Sequence, residues 1–267
     1  TNRSNVVQIP TARDGPLTFQ ARPVFLTRHL WSRHPMVMGL FQTMNLMPSS
    51  TLMAEPEQMA QDELLLGIAA DAGRPTFRSY SWDGVAVSFG YFQSLATIKK
   101  SFSNHALVRR WTGGGAVLHG DCYELTYALA VPASWSFSKL PASETYRAIH
   151  QYVAHALQAV GVSGRMTLEA NGSTAPGLAC FQNPVMGDIL LGETDAKVAG
   201  ASQRRTREGL LIQGSIRLPQ DIPIELEMAL AEALGSELIP VPSSSSREIA
   251  DLVDSKYGRS DWLARKP

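Results

Sequence analysis

The sequence predicts an α+β fold: a mixed, largely antiparallel sheet packed with helices. Three observations carry this. Segments of strand character outnumber helical ones and arrive in runs, rather than alternating one for one with helices, which disfavours a doubly wound parallel sheet. Several of these segments are joined by short Gly-containing turns. Two long stretches place apolar residues at helical spacing and end on glycine.

Taken in order, residues 1–52 hold five Arg, no Lys, a single acidic residue (Asp14) and prolines at 10, 16, 23, 35 and 48. They read as an N-terminal extension, either a targeting segment or an appendage, and residues 53–267 as the main domain. From Glu55 the pattern turns helical, with Met59, Leu65, Leu66 and Ala69 on one side and Asp62 and Glu63 on the other, until Gly73 and Pro75. Thr76–Trp82 and Val85–Phe89 flank Asp83-Gly84, the dipeptide suited to a two-residue hairpin, so an antiparallel pair is expected there. Further strands are expected over Leu107–Trp111, Leu125–Val131, Gly187–Leu191, Lys197–Ser202 and Leu210–Leu218. A helix after Pro141 repeats Tyr146, Ile149, Val153, Ala156, Leu157 and Val160, with Gly161 to close it. Ser245-x-x-Glu248 is a capping-box pattern opening a last helix that carries Ile249, Leu252, Val253 and Tyr257, with Gly258 as its stop.

Composition narrows the function classes. At 267 residues, with 44% hydrophobic content, the chain can bury a large core, so neither disulfides nor metal are needed to hold it. With 24 basic and 24 acidic side chains, it has no net field to gather nucleic acid or anionic lipid. No apolar run is long enough to span a membrane. Two cysteines, Cys122 and Cys180, form neither a disulfide framework nor a metal-ligand spacing, and the expected address is the cytoplasm.

Four features can carry chemistry. Gly113, Gly114 and Gly115 remove every Cβ from a turn between two strands, so the turn either presents consecutive amide N–H groups to an anion or polarised carbonyl, or only relieves strain. His119 follows a short apolar run, as a structural histidine or as a proton-transfer group near neutral pH. Cys180 follows a Gly/Ser/Pro-rich stretch, as a small buried hydrophobe or, if its pKa is lowered, as a nucleophile. Lys197 begins a strand of small residues in which alternation puts Lys197 and Ala199 on one face. The ammonium there either lies in solvent or stabilises an oxyanion beside the small neighbour.

The order and separation of these pieces resemble the lipoate/biotin protein ligase catalytic family. The resemblance runs from about Met59 to Trp262. It rests on R-R-W-T-G-G-G-A-V-L-H-G (109–120), E-L-T-Y (124–127), C-F-Q-N-P-V (180–185), K-V-A-G-A-S-Q-R-R (197–205) and Q-G-S-I (213–216), with M-A-Q-D-E-L-L-L (59–66) and V-S-F-G-Y-F-Q (87–93) in support.

That resemblance implies an enzyme that delivers an octanoyl or lipoyl group to one lysine of a lipoyl carrier domain, of the 2-oxoacid dehydrogenase or glycine cleavage H type. It implies Cys180 as nucleophile, Lys197 as electrostatic stabiliser and His119 as a further proton-transfer candidate. Arg110, Thr112, Gly113, Gly114, Gly115, Ala116, Val198, Ala199 and Gly200 would then bind substrate in an apolar tunnel. Such a tunnel gains about 0.8 kcal/mol for each methylene taken from water.

In the cysteine-dependent octanoyltransferases the donor is an octanoyl-acyl carrier protein and no cofactor is required. The ATP-dependent ligases use free lipoate with ATP and Mg²⁺, and commonly carry a further C-terminal domain of about 100 residues. Little more than one helical segment is expected after Ile216, which favours the transferase, whereas the triple glycine is more ligase-like. A non-catalytic lipoyl-domain- or acyl-binding subunit is the third reading.

Overall fold

The computed structural model describes residues 39–48, 53–168, 181, 183–194 and 196–266. These lie within one unit, Met36–Pro267. Strand β1 (Phe41–Leu46) precedes helix α1 (Glu55–Ala72), in whose first turn Pro56 sits and Glu57 Oε2 accepts the Ala54 N–H at 2.9 Å. Gly73 ends α1 at φ +62°, a left-handed cap that costs glycine least. Next come β2 (Thr76–Tyr80), β3 (Ala86–Phe89), α2 (Leu95–Ser101), β4 (Ala106–Arg109), β5 (Val117–His119) and β6 (Tyr123–Pro132). Helix α3 (Ala142–Ala159) leads to β7 (Gly164–Met166), β8 (Ile189–Leu191), β9 (Lys197–Arg205) and β10 (Gly209–Leu218). Then follow α4 (Leu226–Leu234), β11 (Gly235–Pro240), α5 (Ser246–Leu252) and α6 (Ser260–Leu263).

Eight strands form one sheet in the order β11-β1-β2-β6-β10-β9-β8-β7, and β4-β3-β5 form a second. The large sheet is parallel only where β1 meets β11 and β2; its other pairings are antiparallel, as expected for a mixed, largely antiparallel α+β fold. Strand β6 shows how the layers are assigned. Leu125, Tyr127, Leu129 and Val131 face a core completed by Ile149, Val153 and Leu157 of α3 and Leu226 and Leu230 of α4. The intervening Ala128 and Ala130 meet Leu65, Leu66 and Ala69 of α1 on the opposite face, the period of two expected of a strand buried on both sides.

The structure corrects three expectations. Thr76–Trp82 and Val85–Phe89 do not form a hairpin: β2 belongs to the large sheet and β3 to the small one. A strand has two edges, and β1 and β6 occupy both edges of β2, so none is left for β3. Gly84 does adopt φ +106°, but the turn it makes carries the chain between sheets.

Asp62 is not on a solvated face of α1. It is fully buried and pairs with Arg78 of β2 at 2.8 Å, because a guanidinium in the middle of a buried strand requires a counter-charge.

Part of the segment set apart as an extension is sheet. β1 lies between β11 and β2 with Phe41 and Met44 in the core, so residues 41–46 belong with the domain.

After Ile216 the structure holds more than the one helical segment expected, with α4, β11, α5 and α6, though the start of α5 is as the sequence reads. Ser245 and Glu248 make the reciprocal capping box, Ser245 Oγ accepting from the Glu248 N–H at 3.2 Å. Arg109 at the end of β4 donates to the carbonyls of Trp262, Leu263 and Arg265 and to those of Tyr91 and Gln93, fastening α6 beside the small sheet. Its neighbour Arg110 turns the other way, into the site.

Candidate active site

The two sheets face each other across a cleft of about 410 Å³ counted to its open mouth. Gly200, Ala201 and Ser202 of β9 and Gln213, Gly214 and Ser215 of β10 line one side, while Ser88, Val117 and His119 line the other. Met59, Tyr80, Trp82 and Phe181 supply apolar surface. Polar side chains stand among the lining, but most of the surface that the cleft presents is apolar, in keeping with the apolar tunnel expected.

Its polar groups are satisfied largely by one another. Thr112 Oγ1 donates to Gln213 Oε1 at 2.7 Å and meets Ser202 Oγ at 2.8 Å. Gln213 Nε2 in turn donates to Asp62 at 2.6 Å, linking the cleft wall to the buried Asp62–Arg78 pair.

An irregularity in its strand sets the direction of Lys197, which lies beside the cleft residue Gly200. Leu190 of β8 pairs with Lys197, yet the adjacent Ile189 pairs with Ala199, so β9 carries one extra residue at that point. A bulge of this kind breaks alternation. Lys197 does not share a face with Ala199, as alternation required, but folds over Gly200: a Cβ on Gly200 would stand 2.7 Å from Lys197 Nζ. Lys197 Nζ pairs with Asp188 Oδ2 at 2.8 Å, both side chains almost fully buried. Asp188 also accepts from Tyr146 OH of α3 and, at 2.7 Å, from the Val185 N–H. The ammonium lies 5.2 Å from the centre of the Phe181 ring, on the cleft wall. Cys180, the expected nucleophile, lies outside the described residues.

The glycine turn stands behind the cleft rather than in its wall. Gly114 has φ +83°, and a Cβ there would meet Ser202 Cβ at 3.3 Å. A Cβ on Gly90 would collide with the carbonyl oxygen of Gly114. The backbone of the turn is thus packed tightly on two sides. Arg110 Nη2 holds it by donating to Gly113 O at 3.0 Å and Gly115 O at 2.8 Å.

Of the residues expected to bind substrate, Arg110 and Gly200 line the cleft. Thr112, Gly113, Gly114 and Gly115 buttress it, Ala116 packs with Val87, Phe89 and Ile98, and Val198 and Ala199 belong to the main core.

His119 is buried with its ring stacked on Trp82, centroids 3.9 Å apart. Nδ1 lies 2.8 Å from Glu124 Oε1 and Nε2 2.6 Å from Ser88 Oγ. Arg110 Nη1 donates to that same Ser88 oxygen at 2.7 Å. The ionised Glu124 can only accept, so Nδ1 carries a proton, and in the neutral ring that burial favours Nε2 is left to accept from the Ser88 hydroxyl. His119 is accordingly neutral with its proton on Nδ1, donated to Glu124. Burial lowers the His119 pKa against the pull of Glu124. Burial alone would raise the carboxyl of Glu124, but His119, Ser215 and Arg217 outweigh it and hold the carboxyl below its ordinary range.

Ser88, Glu124 and Gln213 lie inside motifs V-S-F-G, E-L-T-Y and Q-G-S-I, which sequence reading matched without giving these side chains a role. Asp188 has no motif of its own. A buried lysine demands a carboxylate, and the search for one near Lys197 is the signal that finds it. Among the described residues, no group of three or more His, Cys, Asp or Glu could hold a metal ion, and no helix is long and apolar enough to cross a membrane.

Residues 55–251 match the family model of the lipoyl protein ligase A/B catalytic domain. Octanoyltransferase LipM of Brevibacillus brevis is 36% identical over 185 residues, which cover 64% of this chain and 65% of that protein. The LipM of Symbiobacterium thermophilum is 31% identical over 273 residues, covering 79% of this chain and 94% of that protein. Among solved structures, lipoate-protein ligase A bound with ATP gives a TM-score of 0.61 at 21% identity, covering 85% of this chain and 99% of that one. A bipartite lipoate protein ligase from Thermoplasma acidophilum gives 0.61 at 19% identity, with 86% and 99% covered. At such identities the likeness is one of fold.

Proposed function

The chain belongs to the lipoyl protein ligase A/B catalytic family, and from that premise we propose that it transfers an octanoyl group from a carrier-protein thioester to one lysine of a lipoyl carrier domain, by way of a thioester on Cys180. The observation that carries this reading is the Lys197 ammonium, buried on Asp188 and folded over Gly200 at the cleft wall beside Phe181. Relatives that bear the name octanoyltransferase LipM support the choice of acyl group.

The chemistry follows from the residues. The Cys180 thiolate attacks the thioester carbonyl, the carbon–sulfur bond to the carrier breaks, the carrier thiolate departs, and the acyl group rests on the enzyme. The target amine then attacks, gives its proton to water, and expels the Cys180 thiolate as the amide forms. Each step passes through a tetrahedral oxyanion, and a fixed cation in a site shielded from water stabilises it more in the transition state than in the ground state. Since the energy of the thioester drives amide formation, this route needs no ATP. The acceptors are lipoyl domains of the 2-oxoacid dehydrogenase or glycine cleavage H type, the donor is octanoyl-acyl carrier protein, and a reactive thiol suits the reducing cytoplasm.

The test is to offer the purified chain an apo lipoyl domain with octanoyl-carrier protein, or with free lipoate, ATP and Mg²⁺, and to weigh the products. Octanoylated domain from the thioester alone, lost in Cys180→Ala, is the expected result. Modification that occurs only with ATP and releases pyrophosphate would instead make the chain a ligase, the reading its triple glycine favours.

A further inference from the structure

At the cleft, Glu124, His119 and Ser88 stand in a line to which the steps through Cys180 set out above give no role. The separations are 2.8 Å from carboxylate to Nδ1 and 2.6 Å from Nε2 to hydroxyl, within the reach required of a nucleophile, its base and the group that orients the base. The Glu124 carboxylate can only accept, so the Nδ1 proton points at it, and Nε2 of the neutral ring accepts from Ser88, whose oxygen also accepts from Arg110. Ser215 Oγ and Thr126 Oγ1 both donate to the same Glu124 oxygen, and Trp82 covers the imidazole face, so the base has one orientation. Ser88 and His119 both line the cleft.

We infer that Ser88 is a second nucleophile of the acyl cleft, with His119 as its base and Glu124 as the orienting carboxylate, and that it hydrolyses medium-chain acyl thioesters and esters. The inference rests on the reading of the cleft as an acyl site. Ser88 Oγ attacks the acyl carbonyl carbon while its proton passes to His119 Nε2. The carbon–sulfur bond then breaks, the proton goes to the departing thiolate, and the acyl group is left as a Ser88 ester. Water, deprotonated by the same imidazole, attacks that ester. The carbon–oxygen bond breaks, the proton returns to Ser88 Oγ, and the free fatty acid leaves. No oxidant, nucleotide or metal enters the balance.

The test uses the full chain carrying Cys180→Ala, mixed with 4-nitrophenyl octanoate and, separately, with an octanoyl thioester. Continued release of octanoate, with an octanoyl adduct mapped by mass spectrometry to the peptide holding Ser88, is expected. Adding Ser88→Ala should remove both. Glu124→Gln, which keeps a polar partner for Nδ1, should slow release at least about 10²-fold while the thermal unfolding midpoint changes little. Two results would overturn the inference and leave the transferase reading standing: no adduct and no release from Cys180→Ala while the unaltered chain still octanoylates a lipoyl domain, or release that survives loss of both Cys180 and Ser88. An unaltered chain that neither transfers nor hydrolyses would overturn both readings.

Discussion

Lys197 Nζ stands 2.8 Å from Asp188 Oδ2 with both side chains nearly sealed from solvent, so neither charge can be removed alone without stranding the other. Lys197→Met or Asp188→Asn should each lower unfolding free energy by about 3–5 kcal/mol, the usual cost of breaking a buried pair from one side. The double variant should regain most of that loss. Acyl transfer should not return with it: removing a fixed oxyanion partner costs about 10²–10³ in rate, and restored packing does not replace a cation. Urea unfolding and single-turnover transfer on all three variants check both statements. Equal recovery of stability and rate in the double variant would mean that Lys197 serves the fold alone.

Gly200 makes the complementary case. An added Cβ would lie 2.7 Å from Lys197 Nζ and 3.3 Å from Asp188 Oδ1, so Gly200→Ala must displace the ammonium. The atom in the way is the end of a flexible side chain, which can swing aside with little strain on the backbone. Transfer should therefore fall at least about 10²-fold, while stability falls by no more than about 1–3 kcal/mol, the range for overpacking. A variant with unaltered turnover would show that the position of Lys197 over Gly200 has no part in the reaction.

The Asp62–Arg78 pair ties α1 to β2 and, through Gln213 and Thr112, to the glycine turn. Asp62→Ala leaves a guanidinium buried without its carboxylate and should cost about 3–5 kcal/mol. Because Gln213 loses its acceptor as well, the side chains on the cleft wall should rearrange. The reading is a weaker apparent affinity for the acyl donor together with the loss of stability. Chemical denaturation paired with the donor concentration dependence of transfer measures both.

How much of this was legible in the sequence depended on how local each cause is. The ends of α1 and α5 were readable because Gly73 and the Ser245/Glu248 box act within a turn of chain. The Asp83-Gly84 turn was readable as a bend but not as a hairpin, because what β2 pairs with is decided by β1 and β6. Lys197 could be singled out by its motif, but its direction could not, since the bulge that turns it toward Gly200 is a property of β8 and β9 together. Asp188, Ser88 and Glu124 were invisible as participants for a related reason. Their importance comes from partners 9, 31 and 5 positions away in the chain, brought into contact only by the sheets.

His150 of α3 gives the fold a pH dependence whose sign can be worked out. Its Nδ1 donates to Gly187 O at 2.7 Å, and its buried Nε2 has no hydrogen-bond partner among the described residues. Burial pushes its pKa down to about 4, against the opposing pull of Asp188. The unfolded chain, titrating near 6.5, therefore binds a proton that the folded chain refuses as pH falls through the interval between the two values. Stability is present in full above about 6.5 and is lost toward pH 4, by about 2 kcal/mol between pH 7 and pH 5 from this residue. His119, lowered by the same cause, adds to the loss in the same direction. Urea unfolding at the two pH values should show the fall, and His150→Phe should flatten it even though the variant, with Gly187 O deprived of its donor, starts from a lower stability at pH 7. A slope that His150→Phe leaves unchanged would place the proton uptake elsewhere.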